Sequence, residues 1–235
     1  MSTLLMRLAA PLQSWGADAK FDRRGTERIP TKSGVIGLVG AALGRRRDES
    51  IDDLTGLRFG VRIEQEGALL RDYHTAKGEK PYITNRYYLA DAVFLAGLEG
   101  SNDLLREIEY ALMYPAFPLF LGRRSCPPEG QVLLGIRYGK TLMEALREQP
   151  WVVSDWAKRR EETEVRLRIV TDVETTDVNA YFQRDVPLSF NQSHRKFVFR
   201  RILESTPLYV SNPDSKRFIM QSSTAHDPMT ELKGG

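Results

Sequence analysis

The chain has 235 residues, 41% of them hydrophobic and 28% charged, which is the composition of an ordinary globular protein. No run of about 18 apolar residues is present, and Arg7 interrupts the apolar start, arguing against a spanning helix and a secretory leader and for a cytoplasmic protein without membrane contact. The single cysteine, Cys126, excludes an internal disulfide and a cysteine-based zinc site, and the three histidines His74, His194 and His226 have no metal-ligand spacing.

Net charge is +3 and the pI is near 9.0. Residues 1–47 hold nine basic and three acidic side chains, so this segment carries +6 and the remainder −3. A basic N-terminal fifth suits a polyanionic partner, although chance clustering on a solvated surface gives the same count.

The run TLLMRLAAP (3–11) reads as a strand closed by proline. A polar, basic loop follows over 13–30. TKSGVIGLVGAALG (31–44) reads as a helix, with Ser33 able to cap it and Gly44 as its stop. Gly34, Gly37 and Gly40 recur on one face of it. Each costs about 1 kcal/mol in a helix interior, which close packing of that face on a sheet would offset.

Residues 57–64 form a second strand with Phe59, Val61 and Ile63 on one side. Residues 72–99 read as a hairpin with a protruding tip near 74–88. SNDLLREIEYALMYP (101–115) is a second helix, with Leu104, Leu105, Ile108 and Leu112 at helical spacing, capped by Asn102 or Ser101 and ended by Pro115. FPLFLG (117–122) reads as a fourth strand.

Strand, helix, strand, strand, helix, strand is the order of a ferredoxin-like, RRM-like α+β domain. It is expected over 1–130, with a β-hairpin thumb near 74–88. Residues 131–211 are expected to form a small β-rich C-terminal part, with a short helix at 142–150 and strands at 164–173 and around 196–203. Residues 212–235 read as a polar, mobile tail.

Several stretches have chemistry to offer. Lys32-Ser33 resembles the end of a phosphate loop, but the glycine spacing of an NTPase or dinucleotide motif is missing, and no cofactor is expected. What remains is a helix N-terminus able to hold a phosphate. Gln13, Ser14 and Trp15 leave the first strand; Trp15 can stack on a base or simply fill the core. Tyr73 and His74 are the most enzyme-like pair, with Lys77 as companion, and a hydrogen-bonded structural histidine is the simpler reading.

Arg86, Tyr87 and Tyr88 combine a phosphate ligand with aromatic faces, as single-stranded RNA requires, or are alternate core aromatics of a strand. Arg123 and Arg124 follow Gly122 with forked donors for phosphate oxygens. No standard aromatic RNA-binding signature of an open sheet is present, so base stacking on the domain sheet is not expected.

In order along the chain, LQSWG, Arg24-x-Thr26, PTKSGVIGLVGAALG, DYHT, RYYLADAVF and FPLFLGRRSCPP resemble the CasD family. These are subunits of type I-E CRISPR Cascade that hold the 5′ handle of crRNA and belong to the RAMP superfamily. The resemblance covers about residues 1–130. It implies a place at one end of a ribonucleoprotein complex for antiviral defence, next to a backbone subunit and a large subunit, with target DNA met only indirectly. It also implies that another subunit cuts the precursor RNA.

Relatives of subtype I-C cut RNA with a Tyr/Lys/His set, whose spacing Tyr73, His74 and Lys77 do not reproduce. The expected RNA contacts are thus Gln13, Ser14, Trp15, Arg23, Arg24, Lys32 and Ser33 on one side and Arg123, Arg124 and Ser125 on the other. Tyr73, His74, Arg86, Tyr87 and Tyr88 stand at the thumb. No catalytic or metal-binding residue is assigned. The alternative is a metal-independent endoribonuclease acting on CRISPR repeats through His74.

Overall fold

A computed structural model describes residues 1–16, 23–76, 82–173, 178–191 and 196–217. In chain order the elements are β1 (Ser2–Ala9), β2 (Leu12–Gln13), β3 (Arg23–Arg24), α1 (Lys32–Ala42), α2 (Asp52–Thr55), β4 (Arg58–Gln65), β5 (Ala68–Ala76), β6 (Tyr82–Ala90), β7 (Val93–Gly100) and α3 (Asn102–Met113). There follow β8 (Leu133–Tyr138), α4 (Leu142–Glu148), α5 (Asp155–Arg160), β9 (Glu164–Asp172), β10 (Tyr181–Ser189), β11 (Lys196–Glu204) and β12 (Leu208–Ser211). The fold is mixed α/β and its sheets are mostly antiparallel.

The main sheet runs β10-β11-β9-β4-β7-β1-β8, with β12 also pairing β9. Within it β4, β7, β1 and β8 are joined by antiparallel ladders. Helices α1 and α3 cover one face, where Leu4, Met6 and Leu8 of β1 meet Val35, Ile36, Val39, Leu105 and Ile108. Helix α4 covers the other, where Leu5 and Leu95 meet Leu142 and Leu146. Burial on both faces is why β1 reads as a nearly continuous apolar run, broken at Arg7, rather than an alternating one.

Helix α3 is amphipathic: Leu105, Ile108, Ala111 and Leu112 are buried, and Ser101 caps it through Leu104 N. Burying each large side chain is worth about 1.5–3 kcal/mol. Helix α1 is capped by Thr31, whose hydroxyl accepts from Gly34 N at 3.2 Å, and not by Ser33. Ser33 lies one residue inside the helix and its Oγ is 3.3 Å from Thr31 Oγ1. The glycine face of α1 does not pack on a sheet. Gly34 accepts the indole of Trp15, with a Cβ there falling 2.7 Å from the ring, while Gly37 looks toward Phe190.

The expected strand at 117–122 is absent. Phe117 and Pro118 are exposed, Pro118 has no N–H to pair, and Gly122 turns with φ +86°. Only Leu121 of that run is fully buried, so its apolar character records one anchor and not a ladder. The strand that pairs with β1 on that side is β8, whose register shifts between Leu5 and Met6.

Strands β5 and β6 pair from Ala68↔Ala90 to Ala76↔Tyr82. Residues 74–76 and 82–88, expected at a hairpin tip, are therefore paired strand; 77–81, with Lys77, lie outside the described residues. This hairpin joins the second sheet, in which β6 also pairs β2 and, in parallel, β3. Strands β10 and β12 and helices α2 and α5 were not anticipated. The segment after residue 211 starts anchored: Asn212 is buried and donates to Lys158 O and Glu162 O at 2.8 Å. The rest of the expected tail, 218–235, lies outside the described residues, as does His194.

Candidate nucleic-acid interface

A groove of about 790 Å³ runs between α1 and the loop 117–127. Its floor is Ser14, Trp15, Ser33, Gly34, Gly37 and Gly40; its rims carry Arg45, Arg46, Arg47 and Arg124; Phe117, Phe120, Phe190 and Phe197 add aromatic walls.

Local sequence builds each wall. Helix α1 stops at Leu43, and the chain leaves it directly into the Arg45–Arg47 run. Arg45 is held by Asp53 and by Ser50 O at 3.1 Å, and the Asp53 carboxylate pushes the Arg45 guanidinium pKa further up. Arg46, Arg47 and Arg124 are exposed.

The opposite wall is fixed by a close approach. Ser14 N donates to Leu121 O at 3.1 Å, and Leu121 N to Cys126 O at 2.7 Å. A Cβ at Gly122 would fall 1.6 Å from Ser14 O. Only glycine fits there, so the arginine loop is pinned against the end of β2.

The structure brings Ser14, Ser33 and Arg124 together on this groove. It corrects others. Gln13 is buried; its Nε2 donates to Ala92 O at 2.6 Å and its Oε1 accepts from Trp15 Nε1 at 3.0 Å. Trp15 is 1% exposed, so its ring fills the core and is not open to a base.

Lys32 is buried with its Nζ 3.2 Å from Asp172, and burial pulls its ammonium pKa below the ordinary value while Asp172 opposes the shift. The α1 N-terminus is already occupied: Lys32 N donates to Asp185 Oδ2 at 2.9 Å. Arg200 also donates to Asp185, at 2.6 and 2.8 Å, and by a short bond to Asp172. A carboxylate thus sits where a phosphate was expected.

The remaining residues gather by the second sheet. The Arg23 backbone pairs with Asn85 and Arg24 with Arg86. Arg123 is half-buried over the Tyr88 ring at 4.7 Å, and its Nη2 donates to Arg24 O at 2.9 Å and Gly25 O at 3.2 Å. It clamps the basic loop rather than standing free for phosphate. Tyr88 is buried beneath it, and the Tyr87 carbonyl accepts from Ser14 Oγ at 3.4 Å.

Ser125 is exposed beside Cys126, whose thiol burial pushes up in pKa. Tyr73 and His74 lie exposed on β5, opposite Asn85 and Thr84, and His74 is paired with Asp72. The sequence reading missed Arg45, Arg46 and Arg47 as site residues although it counted their charge. A triple-arginine run directly after a helix stop was the available signal. Phe190 and Phe197 carried none, because they reach the groove through tertiary packing.

A basic, aromatic-walled groove on a mostly antiparallel α/β scaffold has the chemistry that suits a nucleic acid. Residues 3–203 match the model of the CRISPR-associated protein family (Cas_Cas5), and the chain belongs to that family. The CRISPR system Cascade subunit CasD of Escherichia coli (strain K12) is 36% identical over 158 residues, 57% of this chain and 70% of the relative. Two solved structures are similar. A crystal structure of a Cas protein aligns with TM-score 0.70 and 36% identity, over 91% of this chain and 97% of that one. A chain of a CRISPR RNA-guided surveillance complex aligns with TM-score 0.75 and 30% identity, over 91% and 92%.

Proposed function

We propose that the chain is the RNA-binding subunit of a Cascade surveillance complex that caps the 5′ handle of crRNA. The observation that carries this reading is the groove between α1 and loop 117–127. Its arginines suit a sugar–phosphate backbone, and its phenylalanines and glycine floor suit bases and a closely approaching strand. Ser14, Ser33, Arg45, Arg46, Arg47 and Arg124 are the contacts. Arg24 and Arg86 extend the basic surface toward the β5–β6 hairpin, which acts as the thumb.

The β8-β1-β7-β4 order with α1 and α3 on one face supports a ferredoxin-like core, to which the β-rich C-terminal strands are added. The backbone and large subunits of the complex are the protein partners, and target DNA is met only through them. The protein works in the cytoplasm and without catalysis: His74 is exposed and engaged by Asp72, away from the groove residues.

The test is binding of a single-stranded repeat-derived RNA across a salt series. Arg124→Ala should weaken binding and flatten the log–log salt slope by about 0.7, the loss of one single-strand phosphate contact. An unchanged slope would remove Arg124 from the site. Cleavage of the RNA in EDTA, abolished by His74→Ala, would favour the nuclease reading instead.

A further inference from the structure

Phe190 and Phe197, which wall the groove, belong to the end of the β10–β11 hairpin nearest α1. Further along the same hairpin, Phe182 stands opposite Arg201 and Arg184 opposite Phe199. Directly opposed residues share a face, and so do residues two apart on one strand. The four side chains therefore form a checkerboard of two rings and two guanidinium groups on one face of the hairpin.

Both rings are open to solvent, Phe182 at 67% and Phe199 at 63% exposure. The Arg201 guanidinium lies over the Phe182 ring at 5.7 Å from its centroid. Between residues 178 and 203 the sequence has one acid, Asp185, and it is fully buried against Arg200 and the α1 N-terminus. The exposed charges on the checkerboard face are thus positive, Arg184 among them; Glu204, exposed at the far end of β11, alternates onto the opposite face, where it pairs with Arg168.

We propose that this hairpin face is a second single-stranded RNA surface, carrying onward the strand held in the groove. The inference rests on the groove being the RNA site. Exposed phenylalanines alone would suit a protein partner equally well. The alternation with arginine, the lack of acid on this face and the continuity with the groove walls favour RNA. Rings take the bases and the interleaved guanidinium groups take the phosphates. The strand passing here is read by stacking and charge.

The test uses the full chain and oligouridylates of increasing length, followed by fluorescence anisotropy. Wild-type affinity should rise in a second step once the RNA is long enough to leave the groove. The Phe182→Ala/Phe199→Ala double variant, and separately Arg184→Glu, should bind the shortest RNA as the wild type does. They should lose roughly tenfold or more on the long RNA. These side chains are exposed, so an unchanged unfolding midpoint is expected and excludes misfolding.

Equal long-RNA affinity in variant and wild type overturns the proposal. The same result with loss of assembly onto the other complex subunits assigns the face to a protein instead. Arg124→Ala separates the two readings, because it should weaken short and long RNAs alike. If Arg124→Ala changes nothing while the hairpin variants weaken the long RNA, the groove assignment fails and the hairpin surface stands.

Discussion

Gly122→Ala tests how the basic loop is held. The glycine has φ +86°, and its absent Cβ would lie 1.6 Å from Ser14 O. That separation must widen to about 3.0 Å, the shortest contact a real Cβ makes, so either the loop or the end of β2 moves bodily. The left-handed conformation itself costs alanine about 1–2 kcal/mol. The shift also breaks the Ser14 N–Leu121 O bond in a largely buried setting, which adds about 1–3 kcal/mol.

The sum is roughly 2–5 kcal/mol, read as a fall in the urea midpoint at constant slope. Gly130→Ala is the matched control. Its φ is +67° and nothing lies within 4 Å of its would-be Cβ, so only the conformational part should appear. Gly122→Ala must cost clearly more than Gly130→Ala. Equal costs would mean that the loop does not press on Ser14, and the pinned groove wall would have to be abandoned. The same variant should weaken binding of single-stranded RNA by displacing Arg124.

Other expectations follow from buried charges. Asp185→Ala strips Arg200 of two bonds and leaves Lys32 N without its acceptor; thermal unfolding should report a loss of about 3–5 kcal/mol, and a loss under 1 would refute the network. Arg62 is fully buried, pairs with Glu64 and donates to Leu146 O and Gln149 O at 2.6 Å and Pro150 O at 3.0 Å, capping the end of α4. Arg62→Met should cost about as much as Asp185→Ala.

Burial already raises the Glu64 pKa above 4.5, with Arg62 opposing the rise. Without Arg62 the folded value climbs further. The variant should therefore be least destabilised below the unfolded pKa near 4.5 and lose stability as pH rises through the folded value; a pH-independent loss would refute this. Asp53 behaves oppositely. Its pKa is lowered by Arg45, so its contribution is present above about pH 4 and is lost as pH falls through the folded value. Asp53→Asn should shallow the acid limb of stability and raise the mobility of Arg45, measured by side-chain NMR.

The elements legible in the sequence were those whose pattern is local. Helix α3 has a cap, a 3.6-residue apolar stripe and a closing proline, and it lies where these place it. Strand β1 announces itself by an apolar run and Pro11. The run 117–122 looked equally apolar, yet a short run cannot reveal whether its burial comes from a ladder or from one anchor such as Leu121. Strand β8 was hidden by Gly135 at φ +96° and by the register shift it imposes on β1.

The site was legible in composition and not in assignment. Arginine counts marked the region where the basic groove lies, but a sequence does not say that Lys32 faces Asp172 across 140 residues or that Trp15 lies under Gly34. Those two residues carry chemistry that RNA would accept, and the core claimed them first.

The bond from Lys32 N to Asp185 spans 153 residues. At ordinary rates of synthesis the two ends are made roughly eight to thirty seconds apart. Until the later strand emerges, α1 has an uncapped first amide, Arg200 has not been made, and the Phe190 and Phe197 walls do not exist. A nascent chain therefore presents its arginine-rich beginning without a finished groove. The late arrival of β10 and β11 makes the closing of this contact the event that turns a loose cationic segment into a shaped surface.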